Sequence, residues 1–231
     1  MTARRPSPNL ARSVGTTGCL QVHTLIIHKV SGMTKGLILA SSSAVRSDLL
    51  TRAGIAHEVH AARVDEDAAK QALLAEHATA RDIADTLAEL KARKIAEKNP
   101  TNLVLGCDQT LAMGQRLLSK PQDTSEAIAH LTLLQGQTHR LYAAVVLYED
   151  GRPVWRHIAE ARLTMRVLSA SFIANYVSRN WPDISHSVGC YLIEAEGIAL
   201  FSAIDGEHTA ILGLPLPPLI GYLASRGLIA T

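Results

Sequence analysis

The sequence is poor in cysteine and in aromatic residues, and it has no long apolar run. Its three cysteines, Cys19, Cys107 and Cys190, are odd in number, widely spaced and without a metal-ligand pattern. This argues against a disulfide framework and predicts a reducing compartment, the cytoplasm. No apolar stretch approaches the roughly 18–20 residues that a membrane span needs. The net charge is only +2, and no stripe of Lys and Arg with interleaved aromatic residues is present, so neither a nucleic acid nor a membrane is an expected partner.

The chain does have the composition of a globular protein, with 47% hydrophobic and 19% charged residues over 231 positions. Its first part differs in character, because no acidic residue precedes Asp48. Met33 begins a Met-Thr-Lys-Gly stretch directly before the first apolar residues, as a natural start would. We therefore expect residues 1–32 to be disordered or an artefact of start-site choice, and residues 33–231 to form a single domain. If the first part is ordered, residues 24–30 could add an edge strand.

Residues 37–46 predict a strand, a turn and a helix that together bind an anion. Four apolar residues at 37–40 make a short buried strand, and three hydroxyl residues then turn the chain: Ser41, Ser42 and Ser43. Ser43 can cap the following helix, whose first turn would point free N–H groups and the positive helix end outward. Arg46 lies in that first turn, where its guanidinium can reach the same anion. An ordinary capped turn between a strand and a helix is the alternative.

Two acidic residues are candidates for chemistry. Glu66 belongs to an acidic cluster at residues 63–67, after a strand predicted at 57–62. Such a cluster either holds Mg²⁺ or Mn²⁺ or forms a solvated loop. Asp108 follows a short buried strand at residues 102–106, and the carboxyl end of a core strand is where α/β proteins place their chemistry. A structural aspartate that caps a neighbouring turn is the alternative.

Two lysines are candidate phosphate contacts. The apolar period predicts that residues 68–98 are helical, with a capping box formed by Thr79 and Asp82. Lys91 lies one position past the apolar stripe of this helix, where it either reaches into a cleft or is solvated. Lys120 precedes a proline, which favours an extended backbone and so fixes the direction of the side chain. Lys-Pro is also a common surface turn.

The rest of the chain predicts further elements, namely a helix at 124–134, a hairpin of strands 138–148 and 152–167, a helix at 169–179, a hairpin at 198–211 and a closing helix that runs through Leu223. Cys107 is better explained as a small buried residue than as a nucleophile. Glu194 lies in a loop, where a lone glutamate is usually solvated. If it faces a purine, its carboxylate could accept hydrogen bonds from the N1–H and N2–H groups of guanine.

Several of these stretches, taken in order, resemble the Maf family of nucleotide pyrophosphatases. Residues 39–46, Leu-Ala-Ser-Ser-Ser-Ala-Val-Arg, are similar to the family's Leu-Ala-Ser-x-Ser-Pro-x-Arg. They depart from it at Ala44, which should loosen the turn without abolishing it. Further similar stretches are Val64-Asp-Glu66, Leu87-Ala-Glu-Leu-Lys-Ala92, Gly106-Cys-Asp-Gln109, Lys120-Pro121, Gly136-Gln-Thr-His-Arg140 and Gly213-Leu-Pro-Leu216. The resemblance covers about residues 37–228.

The resemblance implies a mixed α/β fold, with a twisted sheet in two lobes around a central cleft. It implies hydrolysis of a nucleoside triphosphate between its α- and β-phosphates, and a homodimer. In this family Asp108 would accept the proton of the attacking water, and with Glu66 it would hold the divalent cation, Mg²⁺ or Mn²⁺. Lys91 and Lys120 would neutralise the phosphates that the serine turn and Arg46 hold.

Three positions bear on the choice of base. Family members that prefer dTTP and UTP tend to have Arg, Thr and Gln where this chain has Val45, Gln109 and Glu194. Members that prefer 7-methyl-GTP have an aromatic residue, Gln and Glu, in that order, at the same three positions. The resemblance therefore favours a methylated or guanine-type base and the removal of non-standard nucleotides. The alternatives are a dTTP/UTP pyrophosphatase of the same family, a nucleotide-binding regulator of septum formation and cell division, and a general phosphohydrolase.

Overall fold

The computed structural model describes residues 35–230, so the predictions for residues 1–32 and for a strand at 24–30 lie outside it. That residues 33–231 form one domain stays a prediction. Within the described range the strands are β1 Leu37–Ala40, β2 Glu58–Val59, β3 Leu103–Met113, β4 Arg116–Leu118, β5 Thr138–Glu149, β6 Arg152–Met165 and β7 Phe201–Asp205. The helices are α1 Ala44–Arg52, α2 Glu66–Ala75, α3 Ala80–Ala96, α4 Thr124–Leu134, α5 Ala170–Asn180, α6 His208–Ile211 and α7 Leu216–Ser225, with 3₁₀ turns at Asp183–His186 and Glu196–Leu200.

In residues 35–230 the strands form one seven-stranded sheet in the order β2-β1-β3-β5-β6-β7, and β4 pairs with β3 beside this path. β1 runs parallel to β2 and β3, whereas the other pairs are antiparallel. β1 is buried along its whole length, as expected for a parallel strand that is covered on both faces. The predicted α/β class with a mixed sheet is confirmed.

Helices cover both faces of one half of the sheet. On one face the alanines of α3 pack on Ile38 of β1, and on the other face α1 and α7 pack on Leu37 and Leu39. The far parts of β5 and β6 build a separate core with α4 and α5. The cavity described below is bordered by residues from both halves. No helix in the described part of the chain is long and apolar enough to cross a membrane.

Gly106 lets helix α3 lie directly on strand β3. A Cβ atom at Gly106 would be only 2.1 Å from the carbonyl oxygen of Ala88 and 2.7 Å from the backbone nitrogen of Ala92, both on α3. Only glycine permits this approach, since real Cβ contacts are longer. Lys91 is carried by α3, and Asp108 lies two residues beyond Gly106 on β3. The close packing of helix on strand therefore brings the lysine to the aspartate.

The helix predicted at residues 68–98 is in fact two helices, α2 and α3. The chain breaks between them at His77, whose φ of 59° is left-handed. Helix α3 then begins after Thr79, and the predicted capping box with Asp82 is present. The apolar period runs through both helices, so it concealed the break.

Two strand predictions are corrected. The strand predicted at residues 57–62 is reduced to β2, which pairs with β1 through two residues. The hairpin predicted at residues 198–211 is wrong, because β7 pairs with β6 and the chain then enters α6. Gly206, just after β7, permits a close contact with β6, since a Cβ there would lie 2.5 Å from the Cβ of Ala161. The turn predicted between β5 and β6 is confirmed, with positive φ at Asp150 and Gly151.

The packing at Gly106 can be tested by adding one methyl group. Gly106→Ala should lower the free energy of unfolding by about 1–3 kcal/mol, because α3 must move away from β3. The matched control is Gly221→Ala on α7, where an added Cβ meets nothing within 4 Å. This variant should raise the free energy of unfolding by about 0.5–1 kcal/mol. Urea unfolding of both variants measures the difference. Equal stability of the two variants would contradict the close-packing argument.

Candidate active site

A cavity of about 590 Å³ opens between the two halves of the sheet. The end of β1 and the first turn of α1 form one side of it, and residues 187–194 form another. Every candidate site residue from the sequence lines this cavity: Ser41, Ser42, Ser43, Val45, Arg46, Glu66, Lys91, Asp108, Gln109, Lys120 and Glu194. Stretches that are far apart in sequence thus meet in one place.

Lys91 lies between two carboxylates at the floor of the cavity. Its Nζ is 2.6 Å from Oδ1 of Asp108 and 2.8 Å from Oε1 of Glu66. Lys91 and Asp108 are only 7% and 4% exposed, so this ion pair is buried. A buried pair with such geometry is costly to break, because removal of one partner leaves an uncompensated charge. Lys91, which the sequence predicted as a phosphate contact, therefore forms ion pairs with both carboxylates in this structure.

The two carboxylates differ in surroundings. Burial acts to raise the pKa of Glu66, but the charge and hydrogen bond of Lys91 outweigh it, and the pKa is lowered overall with smaller contributions from Lys70 and Lys120. Glu66 is therefore ionised at neutral pH. Asp108 donates nothing and accepts at Oδ1 from Lys91. Its Oδ2 has no hydrogen-bond partner within residues 35–230, so this oxygen remains available to accept a proton.

Lys120 lies at the open side of the cavity. Its side chain touches solvent, yet the walls of the cleft displace much of the surrounding water. This desolvation lowers the pKa of Lys120 from 10.5, with Glu66 acting in the opposite sense and Arg46 and Lys91 adding to the lowering. Lys120 makes no ion pair with another side chain in the described part of the chain, so its ammonium is available to an anionic ligand.

The serine turn has the predicted strand-turn-helix shape, but its hydrogen bonds differ from the prediction. Ser43 is the N-cap residue of α1, as predicted, but its side chain makes no capping hydrogen bond. Instead the N–H of Ser43 donates to Oγ of Ser41 at 3.2 Å. The first turn of α1 is therefore left without a side-chain cap among residues 35–230. Gly54, with a φ of 72°, lies just beyond the end of α1.

Arg46 is largely engaged by the protein itself. Its Nε donates to the carbonyl oxygen of Gly213 at 2.8 Å, and its Nη1 donates to Oγ of Ser41 and to the carbonyl oxygen of Cys107. The side chain thereby ties the serine turn, strand β3 and the turn before α7 together. Arginine has five N–H donors, so the Nη2 group remains for a ligand. The expected anion contact is thus restricted to one end of the guanidinium.

The predicted base-reading residues also line the cavity. The side-chain Nε2 of Gln109 donates to the carbonyl oxygens of Ala210 and Ile211 at 3.0 and 2.9 Å. Two carbonyl partners fix the orientation of the amide, so the oxygen of Gln109 is its free end, an acceptor. Glu194 is exposed and Val45 is 36% exposed. The three positions therefore offer two acceptors and one aliphatic side chain.

The carboxylates fit a divalent cation only in combination with a ligand. No group of three or more His, Cys, Asp and Glu side chains that could hold a metal occurs in residues 35–230. Glu66 and Asp108 are nevertheless close enough to share the ammonium of Lys91. Mg²⁺ is commonly bound through one or two carboxylates together with waters and substrate phosphates. The donor set fits such a cation if a phosphate supplies the remaining oxygens.

Some residues of the cavity escaped the sequence analysis. Lys70, on α2, lines the cavity and lies 4.0 Å from Glu66; its spacing of four residues from the glutamate was an available signal. Tyr191 also lines the cavity, and no local sequence pattern identifies it as a site residue.

Cys107 behaves as expected, since burial raises the pKa of its thiol to about 11, which excludes it as a nucleophile at neutral pH.

Comparison with known proteins agrees with the resemblance seen in the sequence. The family described as Maf-like protein matches residues 36–226. The chain is 54% identical over 199 residues to a nucleoside triphosphate pyrophosphatase of Ruegeria pomeroyi, covering 86% of this chain and 100% of that protein. It is 48% identical over 189 residues to a protein of the same name from Caulobacter vibrioides, covering 82% and 94% of the two chains.

A relative of a different name is nearly as similar. The chain is 46% identical over 191 residues to a 7-methyl-GTP pyrophosphatase of Brucella abortus, covering 83% of this chain and 96% of that protein. The family match covers most of the chain, and each of these relatives aligns over nearly its whole length. The chain therefore belongs to the Maf family.

Proposed function

We propose that this protein is a nucleoside triphosphate pyrophosphatase, which hydrolyses a nucleotide to the monophosphate and pyrophosphate. One observation carries the proposal: the buried pair of Lys91 and Asp108, with the partly exposed Glu66 on the same ammonium, lies in the same cavity as the serine turn. The names of the relatives from Ruegeria pomeroyi and Brucella abortus support it. Such a site asks little covalent chemistry of the protein, because positioning and charge stabilisation supply the rate.

The phosphate chain would lie against the serine turn. The free N–H groups and positive end of helix α1 suit an anion, and the hydroxyls of Ser42 and Ser43 can donate to phosphate oxygens. The Nη2 group of Arg46 and the ammonium of Lys120, which line the same cavity, would bind the phosphate oxygens. These cations, together with Lys91, offset the negative charge that grows on the leaving pyrophosphate.

Asp108 would act as the proton acceptor. Its Oδ2 takes a proton from water as the water oxygen forms a bond to the α-phosphorus. The bond from this phosphorus to the bridging oxygen then breaks, and pyrophosphate leaves with the electron pair. Lys91 holds the carboxylate in place through Oδ1, so that Oδ2 stays directed at the water. A general base of this kind contributes about 10²–10⁴ to the rate.

Glu66 and Asp108 would hold a divalent cation, Mg²⁺ or Mn²⁺, with oxygens of the substrate. Such a cation, when bound, supplies charge neutralisation at the phosphates and lowers the pKa of a coordinated water. Because Lys91 contacts both carboxylates, its ammonium must share them with the cation. We infer that the cation enters with the nucleotide rather than before it.

The base would be of guanine type. The carboxylate of Glu194 and the oriented amide oxygen of Gln109 are both acceptors, which match the N1–H and N2–H donors of guanine better than the acceptors of a pyrimidine. Val45 offers aliphatic contact but no aromatic stacking, so it would add little for a cationic base such as 7-methylguanine. We propose a role in removing non-standard nucleotides, in the cytoplasm and as a homodimer, with 7-methyl-GTP the preferred substrate.

The reaction is tested by measuring pyrophosphate released from dTTP, UTP, CTP, GTP and 7-methyl-GTP with Mg²⁺ or Mn²⁺. We expect turnover of guanine-type nucleotides, and we expect Asp108→Asn to lower kcat by at least about 10². The control is Asp85→Asn, which removes a carboxylate of α3 that pairs with Arg156 outside the cavity. Release of orthophosphate instead would indicate a general phosphohydrolase. Binding without any release would favour a nucleotide-binding regulator.

Whether the ammonium of Lys91 competes with a cation for the two carboxylates is tested by measuring metal binding in the absence of nucleotide. Lys91→Met removes the ammonium from between the carboxylates at similar side-chain length. We expect nucleotide-free protein to bind Mn²⁺ at least about tenfold more tightly after this change, since a unit charge near 4 Å is worth about 4 kcal/mol at the effective dielectric of a protein site. Electron paramagnetic resonance of free Mn²⁺ reports the affinity. Lys94→Met, which alters an exposed lysine of the same helix, is the control, and equal affinities in both variants would refute the inference.

The choice of base is tested at Glu194. Glu194→Gln should lower kcat/KM for GTP by about 10-fold or more, because it replaces hydrogen bonds to a charged acceptor by weaker neutral ones. The kcat/KM for UTP should change much less. Glu196→Gln, which alters a glutamate paired with Arg179, is the control. Parallel losses for GTP and UTP would mean that Glu194 does not read the base.

A further inference from the structure

His139 and Tyr191 form a buried pair directly behind the wall of the cavity. Nε2 of His139 and Oη of Tyr191 are 2.8 Å apart, and the two residues are 1% and 4% exposed. Tyr191 lines the cavity, as does Leu141, which follows His139 by two positions on β5 and so points to the same face. Neither member of the pair has a part in the chemistry proposed above.

The pair holds a part of the chain that has little regular structure. We name residues 187–194 the wall segment; it connects the two 3₁₀ turns. Its residues on the cavity are Ser187, Val188, Tyr191, Leu192, Ile193 and Glu194. The backbone hydrogen bond that the segment makes within itself is local, from Cys190 to Ser187. Its position must therefore be set by side-chain contacts with the surrounding elements.

Tyr191 joins the wall segment to the sheet, while Cys190 of the same segment contacts His130 of α4, with 3.6 Å between Sγ and Nδ1. The ring of Tyr191 meets Phe201 edge to face, with centroids 4.8 Å apart. On the main chain of the segment, a Cβ at Gly189 would lie 2.2 Å from Cε1 of the same ring, so the ring packs closely on that glycine. Within residues 35–230, the bond to His139 is the only hydrogen bond that joins a side chain of the wall segment to the sheet. The phenol thus fixes the segment at one point of β5.

The protonation state of His139 is consistent with a permanent hydrogen bond to Tyr191. Burial lowers the pKa of His139 to about 4, so the ring is neutral at neutral pH and carries one N–H. Nδ1 is buried and has no partner in the described part of the chain. The neutral ring contacts Oη of Tyr191 through Nε2, and its tautomer decides which of the two groups donates.

We propose that His139 and Tyr191 are positioning residues for base recognition: their hydrogen bond fixes the wall segment so that Glu194 faces the base of the bound nucleotide. The nature of the ligand rests on the proposed function. Glu194 is three residues beyond Tyr191 on the same segment, so a shift of the phenol moves the carboxylate. The pair does not touch the reacting atoms, and the proton transfer to Asp108 proceeds without it.

The test removes one oxygen atom from the pair. Tyr191→Phe should raise KM for GTP, and the dissociation constant of α,β-methylene-GTP measured by calorimetry, about 3- to 10-fold, as expected for one neutral hydrogen bond. It should leave kcat within about twofold and reduce the preference for GTP over UTP. The matched control is Tyr148→Phe on β5, the strand that carries His139; it removes a phenol that donates to Glu89 away from the cavity. This control should change neither constant.

Variants of the histidine separate positioning from general destabilisation. His139→Leu removes the hydrogen-bonding nitrogen and should reproduce the effect of Tyr191→Phe, and the double variant should be no worse than either single variant. His139→Gln places an amide near the position of Nε2 and should restore most of the affinity. These variants keep the test decisive if Tyr191→Phe folds poorly.

Each remaining outcome has a definite meaning. The positioning role is rejected if Tyr191→Phe binds like the control, or if kcat falls while KM is unchanged. If the wild-type protein binds α,β-methylene-GTP but hydrolyses no nucleotide, the proposed function is wrong, and the dissociation constants alone still decide the role of the pair. If it binds no nucleotide at all, both proposals are wrong.

Discussion

The buried ammonium of Lys91, held between Asp108 and Glu66, is the interaction on which the rest of the site depends. It exists because Gly106 lets helix α3 approach strand β3 within a distance that no other residue permits. An ion pair of this kind is maintained only where the surrounding structure holds both partners. The same packing that forms the core therefore sets the geometry of the acids, and it leaves one oxygen of Asp108 for chemistry.

The cavity offers groups of two kinds. The serine turn, Arg46 and Lys120 offer donors and positive charge, which suit phosphates. Gln109 and Glu194 offer acceptors, which suit the edge of a purine. Arg46 contacts Gly213 and Gln109 contacts Ala210 and Ile211, so one short stretch before α7 orients residues of both kinds. The lining comes from both halves of the sheet, so a substrate in the cavity would contact both.

Much of this arrangement could be predicted from the sequence, because short patterns carry local physics. The buried strand β1, the capping box at Thr79 and the turn at Asp150 each follow from a few neighbouring residues. The resemblance to a family then grouped the charged residues in one site, and all of them line the cavity. Contacts between stretches that are distant in sequence could not be predicted from local sequence patterns. The engagement of Arg46 with Gly213, the approach at Gly106 and the pair of His139 with Tyr191 depend on packing that no local pattern encodes.

The central claim is that water, activated at Asp108, attacks the α-phosphorus of a nucleoside triphosphate. The most direct test is hydrolysis of GTP in water enriched in oxygen-18, followed by mass spectrometry of both products. The account predicts that the heavy oxygen appears in the nucleoside monophosphate and is absent from pyrophosphate. Heavy oxygen in pyrophosphate, or in released orthophosphate, would mean attack at another phosphorus and would contradict the account.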